Sequence, residues 1–456
     1  MLRRRLEYGS QKVVLQYMDP NVRLKISVHM PSIRSVEKVV PLKLNRFFIE
    51  DCITKVNDTS YEVGIIRHYP EGNAPEPVNV ENRQGGVCYD YDEFGFADES
   101  GDNVLLPGDI QFADDNRIEP IDTEENEKKH REDLRIHEKA LEIHTELRLY
   151  RLTVNYYVKS LQPIPNDEFM EEKKGVIAAL EHPEPLRFRI EVIKLQILPF
   201  DCRRKNTKPP FTCYIQLTIR KEERKQIQRF QYTKKLHEAA KHLNGFLFGS
   251  RAQPIQVRTL DIPLGNYGIC RLPIDFQMEV DKVLDDQNMI LHKNFPLLVG
   301  NSNSLTTIKL SRRFESAGFQ NQIVRNAKRL ITIVSPERIF GRMLEDISDL
   351  PNLEIGALIE EPFVVEFYLM MIDAWLSGDR QAGASLWIII DSEESAREVL
   401  QEVGEGYELT EQTERCVTIL VNDFIKVEVF YETSEATEQS QEDMSNLVLK
   451  ARAVTI

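Results

Sequence analysis

The chain has 456 residues, long enough for two to four domains with sizeable cores. Its 73 Asp and Glu against 58 Lys and Arg leave a net charge of -15, which argues against phosphate-backbone binding as a main task. Arg3-Arg4-Arg5 runs into polar residues rather than an apolar core, so no secretory signal is expected. The most apolar long window, Phe363 to Leu376, is too short and too charged (Glu366, Asp373) to span a bilayer. Six cysteines form no C-x-x-C pair and read as free thiols of a cytoplasmic or nuclear, non-secreted protein.

Three short helices are expected first. Val13, Val14, Tyr17 and Met18 recur at helical spacing, and Asp19-Pro20 stops that helix and starts a second one carrying Val22, Leu24, Ile26 and Val28. Ser32, Ile33, Val36, Val39 and Val40 make a third, ending at Pro41. Helices of about ten residues are marginal alone, so they must pack on the chain or on a partner. A strand follows at 41–49, with Ser60 to Arg67 expected as the second arm of a hairpin.

Glu71 to Asp115 carries twelve carboxylates against Arg83 alone and reads as a long acidic loop or strand-poor lobe. Ile136, Ala140, Ile143, Leu147, Tyr150 and Val154 then recur at spacings of three and four, which predicts a long amphipathic helix. Leu186 to Val192 and Phe211 to Ile219 alternate like strands, a third strand is expected around Phe230, and a helix from Thr233 to about Phe248 closes at Gly249. Pro254 to Ile262 echoes residues 41–49 position by position in its apolar pattern. Leu305, Leu330, Leu353 and Leu386 each open a short strand at spacings close to those of leucine-rich repeats. Ser335-Pro336-Glu337 and Asp391-Ser392-Glu393-Glu394 are helix starts, and Trp375 is expected to anchor its helix in the core. Strands are expected around Val417 to Val421 and Lys426 to Tyr431, and a polar acidic stretch from Thr433 to Asn446.

The expected fold is therefore mixed α+β and α/β. A helical segment (1–41) precedes a β-rich lobe with the acidic loop (42–118), the long helix (119–162), an α/β region (180–300), strand-helix layers resembling leucine-rich repeats (301–432) and a mostly polar tail (433–456).

Candidate chemistry is sparse. Asp90 to Asp98 meets an EF-hand loop at positions one, three, six and nine, but Phe94 and Gly101 replace two ligands, so it reads as an acidic turn. His130, His137 and His144 lie seven apart, about 10.5 Å along a helix, too far for one metal. His237 to His242 misses H-E-x-x-H by one residue. No nucleophile elbow, Walker loop or dinucleotide fingerprint occurs, so no catalytic, metal or cofactor site is assigned.

Leu15-Gln16-Tyr17-Met18-Asp19-Pro20, Arg23-Leu24 and Pro31-Ser32-Ile33-Arg34 resemble a degenerate F-box, lacking the usual opening Leu-Pro. More widely, residues 23–45, YEVGIIRHYPEG, DEFGFAD, FTCYIQLTI, residues 232–262 and the stretch from Pro362 to Ile390 are similar to F-box-associated proteins of nematodes, a family of unestablished activity. The resemblance implies no catalysis. It implies an N-terminus that docks a Skp-type linker of a cullin ubiquitin ligase through Val13, Val14, Tyr17, Met18, Pro20, Leu24 and Ile33, and a body that captures an unknown protein target. A free-standing binding or scaffold protein is the alternative, a cryptic hydrolase a distant third, and neither nucleic acid nor membrane is an expected partner.

Overall fold

Proline sets the rhythm of the N-terminus. In the computed structural model, α1 (Tyr8–Tyr17), α2 (Pro20–His29) and α3 (Pro31–Val39) follow one another. Pro20 and Pro31 each open a helix where a missing N–H costs nothing, and the Asp19 carboxylate accepts a hydrogen bond from Val22 N. The structure describes residues 7–50, 52–70, 72, 74–101, 104–112, 121–159, 184–261, 268–285, 289–300, 305–310, 316–334, 343–359, 364–433 and 447–456. The chain divides into two compact units: Met1–Thr59 with Leu105–Asp114 and Leu243–Ile456, and Ser60–Val104 with Asp115–His242.

After the three helices come β1 (Lys43–Glu50), β2 (Ile53–Val56) and β3 (Thr59–His68). Then follow α4 (Glu76–Gln84), the short strands β4 (Asp90–Tyr91), β5 (Ala97–Asp98) and β6 (Ile110–Gln111), α5 (Glu124–Lys159) and α6 (Glu184–Lys205). Next are β7 (Thr212–Lys221), β8 (Arg224–Gln231), α7 (Leu236–Phe248), β9 (Ile255–Asp261), β10 (Ile269–Cys270), β11 (Met278–Asp285) and α8 (Phe295–Val299). Strand and helix then alternate: β12 (Thr307–Leu310), α9 (Gln322–Asn326), β13 (Arg329–Val334), α10 (Met343–Asp349), β14 (Glu354–Ile359), α11 (Val365–Leu376), β15 (Ser385–Ile389) and α12 (Glu393–Gly406). A meander closes the chain with β16 (Leu409–Gln412), β17 (Cys416–Leu420), β18 (Ile425–Thr433) and β19 (Leu447–Thr455).

The first unit is built on one mixed sheet in the order β16-β17-β18-β19-β15-β14-β13-β12-β11-β9-β1-β2. From β1 to β15 neighbouring strands run parallel, while β2 and the terminal meander pair antiparallel. Because side chains alternate with period two, register turns strand sequence into rows across the sheet. One row reads Phe47, Leu260, Val283, Ile308, Leu330, Ile355, Leu386, Ala451, Val429 and Val417, none more than 2% exposed. This row is the spine of the core. The fully buried Trp375 of α11 belongs to the same unit.

The echo between residues 41–49 and 254–262 has a physical cause. β1 and β9 lie side by side in parallel, pairing Lys43 with Gln256, Leu44 with Val257 and Phe47 with Leu260, the same offset that aligns Pro41 with Pro254. Neighbouring residues in such a ladder meet the same environment, so they share a pattern. The second unit holds β3, β7 and β8 side by side, with α5 and α6 joined by the ion pairs Arg131 to Asp201 at 2.6 Å and Lys194 to Glu138 at 2.9 Å.

Several expectations are corrected. Leu186 to Val192 is helical: the buried residues Ile190, Ile193, Ile197 and Phe200 of α6 recur at three and four, a period hidden in a seven-residue window. The arm paired with β1 is β2, not Ser60 to Arg67; a four-residue strand is too short to show alternation. The acidic span contains α4, and residues 42–118 divide between the two units instead of forming one lobe. On α5, Ile136 and Ile143 are exposed, while Leu134, His137 and Leu141 are half-buried. The polar tail ends in β19, which is interior to the sheet between β15 and β18. Ser335 to Glu337 and residues 434–446 lie outside the described residues.

Candidate docking surfaces

The three N-terminal helices bury polar groups alongside apolar ones. Leu15, Val36 and Val40 form a small core with Met18 and Ile33 against it. The inward face of α2, however, is Asn21, Arg23, Leu24 and Ser27. Arg23, 2% exposed, donates to Pro41 O at 2.7 Å, Val40 O at 2.9 Å and Glu37 O at 3.3 Å, satisfying carbonyls that the end of α3 leaves open. It also meets Glu37 Oε1 at 3.0 Å, and the fully buried Glu37 is shared with Arg251 at 3.0 Å. Lys38 donates to Phe246 O at 3.2 Å and Leu247 O at 2.9 Å, capping α7. Burial, then the neighbouring Arg251, pushes the Lys38 ammonium down to about 8.

With polar groups inside, apolar ones face out. Tyr17 is 83% exposed, Val13 55% and Val14 45%, and on α2 both Val22 and Val28 are exposed. Exposed apolar side chains at i and i+4 on one helix are the form a partner helix or groove would take. Of the residues expected to dock, Val13, Val14 and Tyr17 therefore stand on the surface, Met18, Pro20 and Ile33 are half-buried, and Leu24 is buried. Sequence reading missed Arg23, Glu37 and Arg251, whose one trace is a carboxylate set among the valines of α3.

The sheet of the first unit offers a second surface. The row beside the buried spine reads Arg46, Thr259, Lys282, Thr307, Arg329, Glu354, Ser385, Arg452 and Glu428, polar throughout. Arg329 meets Glu354 at 2.8 Å and Arg452 meets Glu428 at 2.5 Å across neighbouring strands. On the same face, Gly356 lies under the Trp387 indole, whose Nε1 donates to Glu354 at 2.9 Å; a Cβ at Gly356 would fall 2.1 Å from Trp387 Cζ2. Half-buried Ile331 and Ile333 complete a mixed apolar and charged strip.

The near-motifs serve the fold. Asp90, buried, accepts from Tyr232 Oη at 2.5 Å and Leu236 N at 3.0 Å; Asp92 takes Phe94 N and Phe96 N; Asp98 pairs with Lys235 at 2.5 Å. These contacts hold the β4–β5 turn and the start of α7. His237 sits against Gly101 whereas His242 is exposed, so the two imidazoles diverge. Among the described residues no group of three His, Cys, Asp or Glu side chains could hold a metal ion, and no helix is long and apolar enough to cross a membrane.

Residues 235–391 match the model of a domain of unknown function, DUF3557. The matched stretch runs from the start of α7 to the end of β15 and so contains most of the parallel ladder. No curated protein and no solved structure matches the chain.

Proposed function

We propose that this chain is a non-enzymatic protein-binding molecule, intracellular, that serves as a substrate receptor of a cullin-type ubiquitin ligase. Val13, Val14 and Tyr17 of α1 dock the Skp-type linker, and the polar and aromatic face of the first unit's sheet grips the target. What carries the reading is the apolar stripe that α1 leaves in solvent: Val13, Val14 and Tyr17 are exposed while Leu15 packs inward on Val36 and Val40. An exposed apolar patch of this kind on one helix is a form that a protein partner could cover. The chain-order parallel strands β9, β11, β12, β13, β14 and β15 support leucine-rich-repeat-like layering of the body.

A specific observation favours the second reading, a free-standing binding protein whose helices close the fold. Asn21 donates to Val56 O at 3.0 Å, Ala252 N to Lys38 O at 3.0 Å, and Lys38 to the end of α7, so α2 and α3 are built into the first unit. Pull-down of the full chain with a purified Skp-type subunit separates the two. The ligase reading expects capture that Tyr17→Asp abolishes; absence of capture at tens of micromolar leaves the free-standing reading. Tyr17 is the residue to change because Met18 contributes to the small helical core.

A further inference from the structure

The second unit ends in a strand unlike the rest of this acidic chain. Among the described residues β8 is the last strand of its sheet, almost every residue in it is exposed, and it holds Arg224, Lys225 and Arg229 with no carboxylate. On its inner side, toward β3 and α4, lies a cleft of about 450 Å³ whose described lining includes Arg67, His68, Arg83, Lys225 and Arg229 and no Asp or Glu. Glu81 and Glu76 pair with Arg67 and Arg83 without lining it. Lys225 donates to Arg83 O and is attracted by Glu62, the carboxylate that pairs with Arg220, and Arg229 donates to Gln216 Oε1 at 3.1 Å, so neither hydrogen bond is to a carboxylate. Between the two cations stands Ile227, 43% exposed.

The β7–β8 ladder decides what this edge can do. Lys221 and Arg224 close a two-residue turn and so form a hydrogen-bonded pair. Antiparallel pairs alternate, which makes Arg220 with Lys225, Thr218 with Ile227 and Gln216 with Arg229 the non-bonded ones. The backbone N–H and C=O of Lys225, Ile227 and Arg229 therefore point away from β7, toward the open edge. The residues whose side chains line the cleft are those whose main chain is available to a further strand.

We infer that this edge receives an extended acidic segment of a partner protein, added as a strand to β8, with carboxylates opposite Lys225 and Arg229 and an apolar side chain over Ile227. Four residues at about 3.3 Å each set the two cations about 13 Å apart, the span of an acidic-x-apolar-x-acidic stretch. Two copies meeting edge to edge through β8 are disfavoured, since that would set Lys225 and Arg229 against their own kind. The inference rests on the reading of this chain as a protein-binding molecule and names one chemistry that it binds.

The test uses the full chain and fluorescence anisotropy with a labelled nonapeptide carrying Glu at its third and seventh positions and Ile at its fifth, on a Thr background. A peptide with Lys for Glu and a single-stranded oligonucleotide are run beside it. Micromolar binding of the acidic peptide alone is expected, weakened by salt, and reduced at least about tenfold by K225E with R229E, which then takes up the basic peptide. Ile227→Pro removes an outward N–H and leaves the β7 ladder intact, so it abolishes binding with circular dichroism unchanged. Equal binding of acidic and basic peptides, indifference to both variants, or an oligonucleotide that competes at the same residues overturns the inference. Linker capture through Tyr17 is read in a separate assay, so failure there and failure here are told apart.

Discussion

The helices α1 to α3 and the parallel strands β9 to β15 belong to the same unit and divide polar from apolar residues differently. In the strands, every residue of the spine row is apolar and buried and the next row is polar, so burial follows hydrophobicity position by position. In the helices, Arg23 and Glu37 are inside together with Leu15, Leu24, Val36 and Val40, while Val13, Val14, Tyr17 and Val22 are outside. The difference teaches that burial tracks hydrophobicity alone in the sheet and is shared with a buried ion pair in the helices. A sheet face can be read as folding; an apolar helix face left in solvent is one that a partner could cover.

Changing the buried charges tests that contrast most severely. Glu37→Ala leaves Arg23 and Arg251 without their carboxylate, and removal of one partner from a buried ion pair costs about 3–5 kcal/mol. Urea denaturation of the full chain should show it; a loss below about 1 kcal/mol would mean that the helices are not organised around this triad. On the sheet side, Gly356→Ala drives a Cβ into Trp387 and should cost about 1–3 kcal/mol, with a red-shifted tryptophan emission as the indole leaves its seat. An unchanged spectrum would show that the face carrying Trp387 is softer than its neighbouring spine.

How far the sequence reveals the two regions follows from the same contrast. The pairing of β1 with β9 is visible as an echo because parallel neighbours in register need like residues; Leu330 and Leu386 share the spine row, with Ile355 between them, while Leu305 and Leu353 stand just before their strands and out of that row. Pro20 and Asp19 place the start of α2 correctly because capping is local. What is illegible depends on partners far along the chain. Nothing near Glu37 announces Arg251, and nothing near Lys38 announces the carbonyls of Phe246 and Leu247. The α6 misreading is of another kind: Leu186 to Val192 satisfies period two, and only the continuation through Ile197 and Phe200 shows the helix. Of the docking residues, exposure of Val13 and Tyr17 could not be told from burial, since periodicity finds an apolar face without saying what covers it.

Lys38 gives the contrast a pH dependence. Its ammonium is held near 8 by burial against an ordinary 10.5, so between those values the unfolded chain keeps a proton that the folded chain has released. Stability therefore rises with pH from about 8 to about 10.5, while below about 8 both states are protonated and this contribution is constant. Because Lys38 is only half-buried, solvent screening makes the gain smaller than the full shift. Urea midpoints from pH 7.5 to 10 should climb more steeply for the natural chain than for Lys38→Met, and parallel curves would refute a buried cap at the end of α7.

The smallest expected effect is the most discriminating. If Val13 and Tyr17 face solvent because a partner covers them, exchanging both for serine removes nothing from the fold, and stability should stay within about 0.5 kcal/mol of the natural chain. Leu15→Ser, two residues from either, should by contrast cost several times as much, because Leu15 packs on Val36 and Val40 and its hydroxyl replacement would be buried there. The two measurements together separate a helix with an inner and an outer use from one that is merely loosely packed. If V13S with Y17S destabilised the chain as much as Leu15→Ser, the outward residues would be contributing to folding, and no partner would be needed to explain why they are apolar.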